Sequence, residues 1–165
     1  MFCTRLRPRE ASDETFLFDL YSALRAPEFA LLPIPESQKE QLIRMQYRAQ
    51  NSSYAAQYPG SDYQIVMRDD CPVGKIWIAR TEGELRLVDI VIAPEARNSG
   101  IGSSLIREIQ REAEAAGLPV RSTVFRFNPG SLRFHLRLGF RIVAEEEVEF
   151  RMEWLPDRLT SRRPA

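Results

Sequence analysis

Lysine is nearly missing from this chain. Lys39 and Lys75 are the only two, so arginine carries almost all of the positive charge. Acidic and basic residues balance at 23 each, and the formal net charge is zero. A protein that binds nucleic acid by neutralising phosphates needs a cationic excess, so no nucleic-acid partner is expected. Cysteine is as scarce. Cys3 and Cys71 are too few and too far apart for a metal site or a disulfide framework, and read as reduced thiols. No metal is expected. Long apolar runs are missing too, because Pro33, Pro35 and Pro94 interrupt them well short of a membrane span. No basic start leads into an apolar run, so no signal peptide is visible, and a cytoplasmic protein without a membrane partner is expected. Repeats and linkers are not seen. The 165 residues suit one domain with its own core, closed by a polar, basic tail from Pro156 that reads as loose.

The most informative stretch is LVDIVIAPEARNSGIGSSL, Leu87 to Leu105. A β-branched run (Val88, Ile90, Val91, Ile92) stops at Pro94, which cannot donate to a ladder. An Arg-x-x-Gly-x-Gly loop follows, and a helix starts at once. Glycines at 100 and 102 let the backbone approach a ligand without Cβ clashes. The first turn of a helix presents unpaired N–H groups and a positive dipole end to an anion. The amides of Arg97, Asn98, Ser99, Gly100, Ile101, Gly102 and Ser103 therefore suit a pyrophosphate. The dinucleotide fingerprint fails, since Leu105 stands where its third glycine belongs, and no lysine serves a P-loop. The plain alternative is a glycine-rich turn with no ligand.

Alternation of apolar and basic residues predicts a first strand at Cys3 to Arg7. A helix capped by Ser12 or Asp13 follows, with Phe16, Leu17, Leu20, Tyr21 and Leu24 on one face. Ala26 to Pro35 reads as a loop. Ser37 and Glu40 form a capping box for a second helix lined by Leu42, Met45, Ala49 and Tyr54, which fades before Pro59. Tyr63–Met67 and Val73–Ala79 read as a hairpin turning at Asp69 to Pro72, and Leu85–Ile92 as a long strand. The helix after Gly100 places Ile101, Leu105, Ile109, Ala113 and Ala116 on one face and ends at Gly117. Val120–Phe127 is a further strand, and strands near Arg141–Ala144 and Val148–Trp154 close the chain.

Between these strands lies NPGSLRFHLRLGF, Asn128 to Phe140. Asn128 suits an N-cap, Pro129 the first helical position and Gly139 the C-terminal cap, giving a short helix to about Leu138. The R-x-x-G-x-G loop followed by N-x-x-[small]-x-x-F-x-x-x-L-G-F resembles the GNAT superfamily of acyl-CoA-dependent N-acyltransferases, and the chain is similar to its small bacterial members over roughly residues 3 to 155.

The resemblance implies an α/β fold of mixed α+β type: a single domain with a central, mostly antiparallel sheet, two splayed strands and flanking helices. The splayed strands would be Leu85–Ile92 and Val120–Phe127. It implies acetyl-CoA as acyl donor, with the pantetheine arm paired to freed backbone groups near Ile90, Val91 and Ile92, the pyrophosphate on the loop and Asn128 touching the CoA arm. The family's usual general acid is a tyrosine on the short helix. His135 stands there instead, a departure from the pattern, and its unperturbed pKa suits protonation of a thiolate at neutral pH. The bland alternative is a hydrogen-bonded histidine on the helix border. Asp89 interrupts an apolar strand. Because a buried, unpaired carboxylate is costly, it either faces solvent or an arginine, or faces the cleft and serves as general base. Strand alternation sets Asp89 opposite to Ile90 and Ile92, unless a bulge resets the phase. Glu28, Glu84 and Glu147 are weaker base candidates, and Arg133 and Arg137 are read as surface residues before phosphate contacts.

The acceptor is a small-molecule or peptide amine that the residues do not identify. Phe29, Tyr47, Tyr54, Tyr58 and Trp77 form either a cation–π box for it or ordinary core. The rival to N-acetyl transfer by direct attack in a ternary complex is an acyl-CoA-binding sensor with little turnover, favoured by the missing tyrosine. The C-terminal VEFRMEW is either an edge for a homodimer or a strand completed within one chain.

Overall fold

The computed structural model describes residues 3–161. Seven strands form one sheet in the order β1-β2-β3-β4-β5-β7-β6. They are β1 (Thr4–Pro8), β2 (Asp62–Arg68), β3 (Cys71–Arg80), β4 (Leu85–Ile92), β5 (Val120–Phe125), β6 (Arg141–Glu145) and β7 (Glu149–Trp154). Only β4 and β5 run parallel among the pairs with a defined register. The helices are α1 (Glu14–Ala30), α2 (Glu36–Gln57), α3 (Ile101–Ala116), α4 (Pro129–Arg137) and a final turn, α5 (Asp157–Thr160). The predicted α/β class and the mostly antiparallel sheet are what is observed. The chain packs as two compact units, one built from the residues up to Ile76 with Val91–Ala96, the other from Trp77–Ile90 with Arg97 onward.

In the first unit β1 pairs antiparallel with β2, Thr4 opposite Arg68 and Pro8 opposite Gln64. Leu17, Phe18 and Tyr21 of α1 meet Ile43 and Tyr47 of α2 over Ile65 and Met67 of β2. The alternation of β2 aims Ile65 and Met67 the same way, while α1 and α2 supply residues at helical spacing. The buried positions of α2 are Ile43 and Tyr47, not the predicted Met45, which is largely exposed. The predicted loop from Ala26 is also corrected, since α1 continues through Pro27 to Ala30. Pro27 lacks the N–H that would bond the Ala23 carbonyl, and burial of Phe29 in the core holds the last turn. Ser37 and Glu40 form no capping box: Pro35 is the N-cap, and Glu40 pairs with Arg44 at 3.0 Å. Lys75 is buried, with its ammonium 5.5 Å from the centre of the Tyr63 ring, a cation–π distance.

A charged latch ties β1 to the start of α1. Arg7 donates to both carboxylate oxygens of Asp13, at 2.7 and 2.6 Å, and the Glu10 amide donates to the same carboxylate at 2.8 Å. Arg7 holds the Asp13 carboxyl below its usual value against the opposing effect of burial, with the Glu10 amide assisting. Such a depressed acid stabilises the fold above its unfolded pKa, and the contribution is lost as pH falls through the folded one. Asp13→Asn is expected to cost roughly 2–3 kcal/mol at neutral pH. It is also expected to flatten the loss of stability on the acid side of about pH 4. Urea unfolding at pH 7 and pH 3 checks both, and equal costs at the two values would contradict this reading.

In the second unit β5 pairs antiparallel with β7, and β7 with β6. VEFRMEW is therefore a strand completed within the chain, and β6 forms the outer edge. Ile101, Leu105, Ile106, Ile109 and Ala113 give α3 its buried face, and the predicted Ala116 lies outside it. Gly117 ends α3 at φ 71° and Gly139 follows α4 at φ 84°, a left-handed backbone that favours glycine. The expected loose tail is docked as far as it is described: Pro156 is buried, and Arg158 donates to the carbonyls of Glu114 and Ala115 at the end of α3. A cation there answers the exposed carbonyls and the negative end of the helix dipole. The rest of that tail lies outside the described residues. Among the described residues, no helix is long and apolar enough to cross a membrane.

Candidate functional site

The parallel ladder between β4 and β5 is short. Leu85, Arg86 and Leu87 pair with Val120, Arg121 and Ser122, and the ladder stops there although both strands continue. This is the expected splay. Beyond Leu87, parallel pairing no longer satisfies the facing backbone groups of the two strands, which suits strand-like contacts with a ligand's amides. Asp89 lies two residues past the last rung, half-buried, as is Ile90. By alternation Asp89 shares the face of Leu85 and Leu87 and opposes Ile90.

The loop is built as its glycines suggest. Pro94–Ala96 makes a 3₁₀ turn, and Arg97 to Gly100 form exposed turns before α3. Asn98 has φ 59° and Gly100 φ 82°, two left-handed residues that bring the chain round to the helix. Asparagine is one of the few L-residues that tolerates this conformation. Gly100 is the N-cap of α3, and no side chain caps the helix. Its first turn carries no acidic residue, whereas α1 and α2 begin with Glu14 and Glu36. The amides of Ile101, Gly102 and Ser103 are thus left uncovered by any capping carboxylate at the positive end of a 16-residue helix. That is the chemistry a phosphate requires.

Asn128 caps α4, accepting from the Ser131 amide at 3.0 Å. Gln110 of α3 donates to the Leu138 carbonyl at 2.7 Å, tying α3 to the end of α4. His135 is 2% exposed, edge-on to the Phe134 and Phe140 rings. Its Nδ1 lies 2.8 Å from the Ser131 carbonyl and its Nε2 lies 3.3 Å from Ser122 Oγ. A carbonyl only accepts, so Nδ1 carries the hydrogen; in the neutral ring Nε2 then accepts from the Ser122 hydroxyl. Burial pushes the His135 pKa down, only partly opposed by the Ser131 carbonyl, so the ring is neutral at pH 7.

Of the predicted residues, the second unit holds Asp89, Ile90, the loop from Arg97 to Ser103, Asn128 and His135. Val91 and Ile92 belong to the first unit, where Val91 packs with Leu20 and Ala93. Two residues were overlooked. Ser122 was readable as the lone hydroxyl on the inward face of β5 between Val120 and Val124. Gly74, whose neighbour is the Val91 carbonyl, left no local signal. The aromatic box divides: Phe29, Tyr47 and Trp77 are buried as core, and Tyr54 and Tyr58 are half-buried. A separate groove between α1 and α2, lined by Glu14, Asp19, Glu36 and Glu40 among others, includes Phe29 of that box but none of the predicted catalytic or cofactor-binding residues. Among the described residues no cluster of potential ligands would hold a metal.

A mostly antiparallel sheet that opens between two parallel strands, with an uncapped helix after the first of them, defines an α/β protein whose helix N-terminus suits an anionic group. The chain belongs to the acetyltransferase (GNAT) family, whose model matches residues 17–140. It is thereby an acetyltransferase. Solved structures with the same fold include the PaiA N-acetyltransferase of Thermoplasma acidophilum in complex with coenzyme A, at 18% identity and a TM-score of 0.68, covering 93% of this chain and 99% of that one. Naa50 of Arabidopsis thaliana, in complex with the bisubstrate analogue CoA-Ac-MVNAL, is 16% identical with a TM-score of 0.60 and covers 92% and 97%. An acetyltransferase of Thermus thermophilus is 19% identical with a TM-score of 0.61 and covers 91% and 94%. A search of curated proteins finds no match.

Proposed function

We propose that this acetyltransferase moves the acetyl group of acetyl-CoA to a primary amine, carried by a small molecule or a peptide, through direct attack in a ternary complex. The observation that carries the reading is the uncapped first turn of α3 beside the opened β4–β5 ladder. The amides of Arg97, Asn98, Ser99, Gly100, Ile101, Gly102 and Ser103 would hold the pyrophosphate. Backbone groups from Ile90 through Val91 to Ile92 would pair with the amides of the pantetheine arm. The Asn128 side chain, half-exposed beside its own cap bond, is the remaining contact to that arm. Asp89 takes a proton from the incoming ammonium so that a neutral amine attacks. Positioning both reactants in one cleft supplies much of the remaining rate.

The expected result is micromolar binding of acetyl-CoA by calorimetry, and a panel of amines that yields an N-acetyl product with intersecting initial-velocity lines. Parallel lines would replace direct attack with a covalent acyl-enzyme. No binding by the folded protein would remove the proposed donor site.

A further inference from the structure

Ser122 is a small polar residue in a place that packing alone would fill with a valine. Val120, Ser122 and Val124 form the buried face of β5, with Ser122 itself 3% exposed. Burying a hydroxyl there is costly unless it is hydrogen-bonded. Its partner is His135 Nε2, and its strand position is the last rung of the β4–β5 ladder, opposite Leu87. The hydroxyl therefore sits where the strands begin to part, backed by an imidazole whose other nitrogen is fixed by the Ser131 carbonyl. A hydroxyl, an imidazole Nε2 and an orienting acceptor on Nδ1 in sequence make an arrangement that moves protons.

The surroundings of His135 leave this pair isolated from charge. From α4 and the turn after it, the rings of Phe134 and Phe140 pack against the imidazole. From β5 the inward groups are Ser122 and Val124, and Met152 of β7 is the register partner of Ser122. Arg121 and Glu153, one register position along, engage each other at 3.1 Å, with Arg121 also bonded to Glu84. No charged side chain contributes to the lowered His135 pKa. The ring is thus held as a neutral base at rest.

We infer that Ser122 and His135 form a proton relay in which Ser122 Oγ carries the proton lost by the attacking amine to His135 Nε2 and then returns it to the departing thiolate. The relay rests on the proposed direct attack on acetyl-CoA. The amine nitrogen bonds to the acyl carbon. One N–H proton passes to Ser122 Oγ while the Ser122 hydroxyl proton passes to Nε2. The C–S bond then breaks with its electron pair on sulfur, Nε2 gives its proton back to Oγ, and an Oγ proton goes to sulfur. The products are an amide and a thiol, and both side chains end as they began. Asp89 handles only the earlier proton of the ammonium, so the two roles do not overlap. The relay also accounts for a histidine at the family's tyrosine position: a buried imidazole reaches the reacting atoms through a hydroxyl.

The test measures kcat, KM for acetyl-CoA and calorimetric Kd for acetyl-CoA across pH in the full chain and in Ser122→Ala, Ser122→Thr and His135→Gln. The acceptor is a primary amine found active with the wild type. Ser122→Ala and His135→Gln are expected to lower kcat about a hundredfold with Kd little changed, and Ser122→Thr to restore most of the rate. The wild-type log kcat profile is expected to steepen below a midpoint under the ordinary histidine value, as His135 becomes protonated, and neither disabled variant shows that extra slope. A wild-type rate and an unchanged acid limb in folded Ser122→Ala would overturn the relay while leaving acetyl transfer standing. Should Ser122→Ala fail to fold, nitrogen-15 labelling reports on the native protein, since His135 is the only histidine. The Nδ1–H tautomer at pH 8 supports the relay, and the Nε2–H tautomer overturns it. Failure of the wild type to bind acetyl-CoA or acetylate any amine would sink the proposed function and the relay with it.

Discussion

Gly74→Val is expected to destabilise the protein by about 3 kcal/mol or more, the upper end of what forced overpacking costs. A Cβ built on Gly74 lies 2.5 Å from the Val91 carbonyl oxygen, 2.9 Å from Ile92 Cδ1 and 3.2 Å from Ile92 Cα. Two of those three atoms are backbone, which cannot rotate out of the way. The Ala93 amide donates to the Val73 carbonyl at 2.8 Å in the same stretch, so separating the chains there also breaks a hydrogen bond. For a chain of this size the loss corresponds to a fall in Tm of roughly 6–12 °C. Gly74→Ala brings the same contact with less bulk and is expected to cost less, though still above 1 kcal/mol or so. Gly83→Ala is the control, because a Cβ there meets nothing within 4 Å and the change should be close to neutral. Denaturant melts of the three variants decide the matter: a Gly74→Val protein as stable as Gly83→Ala would refute the close approach.

Gly100→Trp is expected to leave the fold in place and weaken acetyl-CoA binding tenfold or more, about 1.4 kcal/mol. At φ 82° an L-residue is strained by roughly 1–2 kcal/mol. A Cβ at Gly100 nevertheless meets nothing within 4 Å, so no packing is lost. The effect on binding comes from an indole standing at the N-cap, over the amides that the proposed site uses. Gly100→Ala carries the same backbone strain without the bulk, and separates the two causes. Calorimetry on both variants, with circular dichroism to establish folding, is the check. A folded Gly100→Trp that binds acetyl-CoA as tightly as the wild type would show that the pyrophosphate is held elsewhere.

Much of this architecture was legible because its signals are local. A β-branched run bounded by Pro94 has few other conformations available, and β4 spans the Leu85–Ile92 that it predicts. Asn128 as the cap of α4, and Gly117 and Gly139 at helix ends, follow from backbone rules that need no tertiary partner. Predictions failed where a distant contact outweighed the local rule. Proline at 27 should end a helix, but Phe29 gains more from the core than the last turn loses. Ser37 and Glu40 match a capping box, yet Pro35 already turns the chain into α2 with φ −57° and ψ 148°. The basic tail should be loose, but Arg158 donates to the last carbonyls of α3, those of Glu114 and Ala115.

By itself the sequence determined the class of fold, the glycine-rich turn into α3 and the family, because strand, turn and cap preferences act over a few residues and their order along the chain is distinctive. Only the tertiary structure decided that the β4–β5 ladder ends at Leu87 and Ser122, that His135 is a buried, neutral imidazole, and that Ser122 is its hydrogen-bond partner. The state of an imidazole depends on which groups surround it and how much water reaches it. Those are set by residues of β5 and α4, brought together only when the chain has folded.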